Sequence, residues 1–249
     1  MALFGEGKAI VDLLAHWRKW RKDSNDPARQ QAERLIAAFE AYGVRRQQIA
    51  RLMPESVALP SPLMSSPETL KNEISPKLLD WAAQYLALNR AWFDGVDPQP
   101  HLLIDGYKDT PAHERWLRSR IEAEPGRYRH VVVWKAEAGE ATFDSIGPLC
   151  VVYVEQDVGL DGSEFSRYWL LSRNWSLGHP PCVECMVTLV NLARSLGLLV
   201  TGRIKPLRWL ERLEEGAVFA SEMDHVSGEL WYPEEMTFGG DRRPEPLLA

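Results

Sequence analysis

The stretch LLDWAAQYLALNRAWFDG, residues 78–95, decides how the first part of the chain folds. Its apolar side chains recur at helical spacing, at Leu78, Leu79, Ala82, Ala83 and Leu86. A shorter group with an aromatic pair follows at residues 89–95 and ends in glycine. The spacing predicts one helix over residues 76–88 and a second, shorter helical segment directly behind it.

Helical periodicity also predicts the segments that precede this stretch. Pro27 begins a helix with an apolar stripe that Gly43 ends, because proline suits the first helical position and glycine the left-handed stop. Ser65 or Ser66, followed by Pro67, caps the start of another short helix. The predicted helices cover residues 8–22, 27–42, 44–53, 66–74 and 76–88. Five short helices in this part of the chain predict an all-α domain over residues 1–95.

The sequence changes character after residues 96–110, a segment rich in turn-forming residues that we interpret as a linker. Helical patterns follow at residues 111–124, 181–196 and 207–214. Short β-branched or aromatic runs predict strands at residues 130–134, 149–154, 165–172, 198–204 and 217–220. We therefore expect residues 111–249 to form an α+β domain with a small, mainly antiparallel sheet, which makes the chain as a whole α+β.

Composition excludes several classes of protein. Apolar residues make up 45% and charged residues 26% of the chain, as is typical of a globular protein. No apolar run approaches the roughly 18 to 20 residues of a membrane helix, and the N-terminus lacks the order of a signal peptide. Three cysteines do not make a disulfide framework. We expect a cytoplasmic protein with no membrane partner.

Charge is distributed unevenly along the chain. Residues 1–54 hold ten Lys and Arg against six Asp and Glu, a balance of +4. The remaining 195 residues hold 19 against 29, a balance of −10. Such asymmetry is typical of a nucleic-acid-binding end attached to an acidic domain, although solvated helix surfaces also explain it.

The order of the predicted helices, ending in residues 78–95, resembles the lambda-repressor-like (XRE-type) helix-turn-helix family over roughly residues 29–95. The resemblance implies a bacterial-type transcription regulator that binds double-stranded DNA as a homodimer. By the same resemblance, the helix at residues 44–53 would hold phosphates and residues 66–73 would form the recognition helix. The implied DNA-binding residues are Arg45, Arg46, Gln47, Gln48, Ser66, Thr69, Lys71 and Asn72.

Two features of this segment favour a different hypothesis. The connection from Met53 to Ser65 is longer than the tight turn of that family, and Glu68 and Glu73 make the presumed recognition helix acidic on balance. The alternative is a protein-interaction adaptor whose degenerate helix-turn-helix no longer binds DNA.

Cys182 and Cys185 form a C-x-x-C pair at the start of a predicted helix that lies between two predicted strands. This pattern is typical of thioredoxin-like redox sites. The same two cysteines lie on the apolar stripe of that helix, which predicts burial in the core. A thiol-based redox protein is therefore the third hypothesis, with these two cysteines as its possible redox residues.

The other chemical motifs searched for are missing from the sequence. One C-x-x-C pair supplies two of the about four ligands that a zinc site needs, and no phosphate loop, dinucleotide fingerprint or hydrolase motif occurs. We expect no metal, no cofactor and no enzymatic activity. Our first hypothesis is a DNA-binding regulator whose C-terminal domain senses a small-molecule or protein effector or mediates dimerisation, the latter by fold-level analogy.

Overall fold

The computed structural model describes residues 26–136, 146–158 and 164–236. The helix predicted at residues 8–22 and the chain beyond residue 236 lie outside the described residues. The described part is mixed helix and strand around one mixed sheet, so the α+β fold class is confirmed.

Residues 26–95 fold into short helices, as the apolar spacing predicts. The helices are α1 (Pro27–Ala41), α2 (Arg46–Leu52), α3 (Pro67–Leu70), α4 (Pro76–Leu86) and α5 (Arg90–Phe93). Two 3₁₀ turns, Glu55–Val57 and Ser61–Ser65, occupy the connection between α2 and α3.

Side-chain caps fix where these helices begin. Asp26 accepts from the backbone N–H of Arg29, Ser75 from that of Leu78, and Asn89 from that of Ala91. Each cap satisfies an N–H group that has no partner within its helix. The extent predicted for the recognition helix, residues 66–73, is wrong, because α3 is a single turn that ends at Leu70.

The second part of the chain alternates helices and strands. The helices are α6 (Thr110–Ala123), α7 (Pro180–Ser195), α8 (Leu207–Glu214) and α9 (Ala220–His225). The strands are β1 (Arg129–Lys135), β2 (Pro148–Val158), β3 (Glu164–Leu170), β4 (Trp175–Ser176), β5 (Leu199–Ile204) and β6 (Leu230–Trp231).

The strand predicted at residues 217–220 is wrong. Ala220 begins α9, and the Glu222 carboxylate accepts from the backbone N–H of Phe219 at 2.7 Å. Val218, Phe219 and Ala220 are buried, and a buried apolar run this short does not distinguish strand from helix by its periodicity.

The strands form one sheet in the order β3-β2-β1-β5-β6, with β4 beside the start of β2. The β1–β5 pair is parallel, and the other four described pairings are antiparallel. The prediction of a mainly antiparallel sheet is thereby confirmed.

The two faces of the sheet are covered by different helices, because successive side chains of a strand point to opposite sides. Val132, Trp134 and Val152 belong to the cluster that contains the buried residues of α1, α2, α4 and α5 together with those of α8 and α9. Val131 and Val133 belong to the cluster formed with α6 and α7. The predicted all-α segment is therefore packed on one face of the sheet.

Residues 96–110, predicted as a linker, are packed against the second part of the chain. The Gln99 side-chain amide donates to the carbonyl of Leu213 at 3.0 Å, and His101 Nε2 accepts from the backbone N–H of Ala220 at 2.8 Å. Burial lowers the pKa of His101 to about 3, so the ring is neutral in the folded chain. The domain boundary at these residues stays a prediction.

Candidate functional site

The start of helix α2 presents two of the predicted DNA-binding residues, Arg45 and Gln47, at the surface. Ile49 is fully buried and holds the helix on the core, while Arg45 and Gln47 are exposed. Gln48 Oε1 accepts from the backbone N–H of Arg45 at 3.0 Å and from its Nε at 3.2 Å. The Gln48 amide oxygen therefore helps to cap the N-terminus of α2.

Arg46 connects three segments. Its Nε lies 2.6 Å from Glu40 Oε1 at the end of α1, and its Nη1 donates to the carbonyl of Ser65 at 3.2 Å. This guanidinium remains 40% exposed but is partly neutralised by the Glu40 carboxylate. Its contacts hold α2 against α1 and the 3₁₀ turn before α3.

Ser66 and Thr69 cap α3 reciprocally. The Thr69 backbone N–H donates to Ser66 Oγ at 3.2 Å, and the Ser66 backbone N–H donates to Thr69 Oγ1 at 3.3 Å. Such a reciprocal pair satisfies two N–H groups at the start of a helix. Both hydroxyl groups are thus used locally, where the resemblance implies contacts to base edges.

Lys71 lies between two carboxylates. Its Nζ is 3.0 Å from Asp26 Oδ2 and also pairs with Glu68. The hydrogen bond to Glu68, followed by that to Asp26, raises the pKa of Lys71. The neighbouring Asn72 is exposed. The single basic residue of the presumed recognition helix is therefore neutralised by two acidic side chains.

Two of these residues, Arg46 and Lys71, pair with acidic side chains near opposite ends of α1. Arg46 pairs with Glu40 near the end of that helix, whereas Lys71 pairs with Asp26 at its start. At a rise of 1.5 Å per residue, the two acidic residues are about 21 Å apart along the helix axis. Residues 26–73 hold six Lys and Arg against six Asp and Glu, so this surface carries no net charge.

The thiol pair lies at the N-terminus of α7, the 16-residue helix that connects β4 to β5. Cys182 is 5% exposed and Cys185 is partly exposed. The Nδ1 atom of His179, the residue that caps this helix, lies 3.3 Å from Cys182 Sγ. The structure thus brings both predicted redox residues together and adds an imidazole.

The chain matches no family model, no curated protein and no solved structure. Its function must therefore be inferred from the chemistry of its own residues.

Sequence reasoning missed a buried charge cluster around Glu155 on β2. Glu155 is fully buried, and its carboxylate lies 3.2 Å from Arg120 Nε, 3.3 Å from Arg129 Nε and 3.0 Å from Arg167 Nη2. The Tyr153 hydroxyl donates to the same carboxylate at 3.0 Å. Burial raises the pKa of Glu155, but the hydrogen bonds and charges of its partners, with Arg120 first and then Tyr153 and Arg167, together more than offset the effect of burial, so the pKa lies below its ordinary value.

The arrangement of this cluster indicates a structural role. Arg120 and Arg167 also stack over the Trp169 ring, with guanidinium carbons 4.8 and 5.6 Å from its centroid. The cluster thereby joins α6 to the three strands β1, β2 and β3. A glutamate one position beyond an apolar strand run was the available sequence signal, but its three partners come from distant parts of the chain.

The described residues contain neither a cluster of metal-ligating side chains nor a membrane-spanning helix. Residues 26–136, 146–158 and 164–236 contain no group of three or more His, Cys, Asp or Glu side chains that could hold a metal ion. In the same ranges, no helix has both the length and the apolarity that a membrane crossing requires.

Proposed function

We propose that this chain is a cytoplasmic DNA-binding regulator whose contacts to the DNA backbone are made by α2. The observation that carries the proposal is the exposed side of this helix, where Gln47 and Arg51 lie two positions on either side of the buried Ile49 and therefore on the opposite face, and where the exposed Arg45 caps the start. Among the described residues, neither Arg45 nor Arg51 forms an ion pair with an acidic side chain. Guanidinium and amide groups are the usual donors to phosphate oxygens.

The spacing on α2 supports contacts to one strand of phosphates. Gln47 and Arg51 are four residues apart and therefore lie on the same side of the helix. However, α3 is one turn long, and Lys71 is paired with Asp26 and Glu68. We therefore propose binding dominated by phosphate contacts, with weak discrimination between base sequences.

The salt dependence of DNA binding tests this proposal. We expect the full chain to bind a labelled duplex at about 50 mM salt and to release it progressively towards about 200 mM. Replacing both Arg45 and Arg51 with Ala removes two phosphate contacts, so the slope of log affinity against log salt should fall by about 1.8. Fluorescence anisotropy over a salt series measures this slope.

A matched variant separates this effect from the loss of any surface arginine. Arg118 is exposed on α6 and pairs with Glu114, one turn away. Arg118→Ala should leave the slope unchanged. An equal decrease for Arg118→Ala, or an unchanged slope for the double variant, would contradict the assignment to α2.

A second candidate function is supported by the neutralised surface of residues 26–73. Residues 26–73 hold equal numbers of basic and acidic residues, six of each, and Arg46 and Lys71 are held by carboxylates. A protein-interaction adaptor with a degenerate helix-turn-helix would have this character. It predicts no retention of the duplex even at the lowest salt, together with a partner protein that copurifies with the chain.

We assign the α+β part of the chain to effector sensing or dimerisation as part of the same proposal. A symmetric homodimer would present two α2 helices to two half-sites about one helical turn of DNA apart. Sedimentation equilibrium of the full chain, with and without the duplex, tests the predicted dimer. A monomer in both conditions would contradict it.

A further inference from the structure

We propose that Cys182 and Cys185 form a reversible thiol–disulfide switch in which His179 accepts the proton of Cys182. The proposal is independent of DNA binding. It assigns a chemical role to the start of α7 that the regulator hypothesis does not use.

The topology around the pair is that of a strand, a short turn and a helix. Strand β4 ends at Ser176 and α7 begins at Pro180, so three residues separate them. β4 is antiparallel to β2, β2 is antiparallel to β1, and β1 is parallel to β5. β4 and β5 therefore run in the same direction, and β4, α7 and β5 form a β-α-β unit. A C-x-x-C motif in this context is typical of redox-active dithiols.

Two geometric features of Cys182 support this role. Its position in the first turn of a 16-residue helix places it at the positive end of the helix dipole. The imidazole Nδ1 of His179, 3.3 Å from the sulfur, can take up the thiol proton. The His179 ring is itself exposed, so the proton can pass on to solvent.

Cys185 has the placement required of the second, resolving cysteine. Residues three apart in a helix have Cβ atoms about 5 to 6 Å apart, and a disulfide requires about 3.5 to 4.5 Å. A movement of about 1 to 2 Å within the first turn therefore suffices for closure. Cys185 is partly exposed, which leaves room for this movement at the surface.

The oxidation is balanced with a peroxide as the oxidant. The Cys182 thiolate attacks one peroxide oxygen, an S–O bond forms, the O–O bond breaks, and the second oxygen leaves as water after taking up a proton. The Cys185 sulfur then attacks the sulfenic acid, an S–S bond forms, the S–O bond breaks, and a second water leaves. The two thiols lose two electrons, which reduce one peroxide to two waters.

Peroxide titration of the full reduced chain tests the switch. After exposure to hydrogen peroxide and alkylation, peptide mass mapping should find one disulfide between Cys182 and Cys185 that dithiothreitol reverses. Cys150 serves as an internal control, because it is 3% exposed on β2 and burial raises its pKa. It should remain a thiol throughout.

Two variants separate the roles of the residues. In Cys185→Ser the reaction should stop at a sulfenic acid on Cys182, which dimedone traps. In His179→Asn the oxidation should be about tenfold slower near pH 7, because the proton acceptor is lost. This difference should vanish near pH 10, where a thiol ionises without help. A purely structural role of His179 would not produce such a pH dependence.

Several results would overturn the proposal. One is that Cys182 and Cys185 stay reduced in the folded chain at peroxide concentrations that oxidise a free thiol, and react only in urea. Another is that dimedone labels Cys185 in the Cys182→Ser variant but does not label Cys182 in the Cys185→Ser variant. Equal rates for the wild-type chain and His179→Asn near pH 7 would remove the imidazole from the mechanism.

Discussion

At the scale of single residues, the Glu155 carboxylate is fully buried and pairs with three arginine side chains. Arg129 and Arg167 have side chains 5% and 11% exposed, and both direct a guanidinium at its carboxylate. Removing the carboxylate would leave the buried Arg129 guanidinium without the acidic group it pairs with, while Arg167 would keep the more distant carboxylates of Glu124 and Asp157 at 3.6 and 3.7 Å. Breaking a buried pair in this way costs more than the pair contributes relative to an apolar replacement.

We expect Glu155→Gln to lower the free energy of unfolding by about 3 kcal/mol, because the amide keeps a hydrogen-bond acceptor but supplies no charge. Urea unfolding near neutral pH measures the loss. Glu114→Gln is the matched control: Glu114 pairs with Arg118 on the exposed side of α6, and its replacement should cost less than about 0.5 kcal/mol. If the loss for Glu155→Gln were as small as the loss expected for Glu114→Gln, the buried cluster would contribute little to stability.

The same cluster predicts how stability depends on pH. The pKa of Glu155 is lowered in the folded chain from an ordinary value of 4.5, so its ionised form is favoured by folding. The contribution of the Glu155 charge to the free energy of unfolding is fully present above pH 4.5 and is lost as the pH falls through the folded-state pKa. The stability difference between wild type and Glu155→Gln should therefore shrink below that pH. A difference that grows on acidification would contradict this assignment.

At the scale of elements, the helix caps were predictable and the shortest strands were not. Ser66, one of the two serines predicted as a cap, does cap the start of α3, because the local chain alone decides a cap. β4 and β6 are two residues each, and they exist because β2 and β5 offer free edges beside them. No periodicity is visible in two residues, so only the tertiary structure could reveal these strands.

The cap of α4 gives a prediction at this scale. Ser75 Oγ accepts from the backbone N–H of Leu78 at 3.2 Å, so Ser75→Ala should lower the free energy of unfolding by about 1 kcal/mol. Ser119 is the control, because its hydroxyl lies within α6 and donates to the Trp116 carbonyl at 2.7 Å. Ser119→Ala should change stability by less than about 0.5 kcal/mol, since alanine is the better helix former. Thermal and urea unfolding of both variants measure these losses. A larger loss for Ser119→Ala than for Ser75→Ala would contradict the prediction.

The site was predicted in its parts but not in its arrangement. The eight residues implied by the helix-turn-helix resemblance all lie at or near the surface, yet Arg46 and Lys71 have acidic partners that are six and 45 residues away in sequence. The assignment of a redox role to the C-x-x-C pair depends on the contact of His179 with Cys182 and on β4, which is separated from α7 by three residues. Spacing identifies residue types, whereas charge balance and hydrogen bonding depend on contacts that packing creates.

At the scale of the whole molecule, the helices of residues 26–95 share their buried cluster with one face of the sheet. Tyr42 meets Tyr168 with ring centroids 6.0 Å apart, and Tyr85 stacks on Phe165 at 5.5 Å. Sheet order and the face on which the helices pack could not be read from the sequence, because both are set by contacts between distant segments. The predicted division into residues 1–95 and 111–249 therefore needs a test of cooperativity.

A substitution that creates a cavity in the sheet provides such a test of cooperativity. Val152 is fully buried on the face of β2 that belongs to the shared cluster, so Val152→Ala should lower the free energy of unfolding by about 2 kcal/mol. If helices and sheet unfold as one unit, amide hydrogen exchange in α1 and α4 should accelerate by the same factor as in β2, about thirtyfold. Val158→Ala, at a 64% exposed position of the same strand, should change neither. Acceleration confined to the strands would instead support two independent domains, and the shared cluster would then be a contact surface between them.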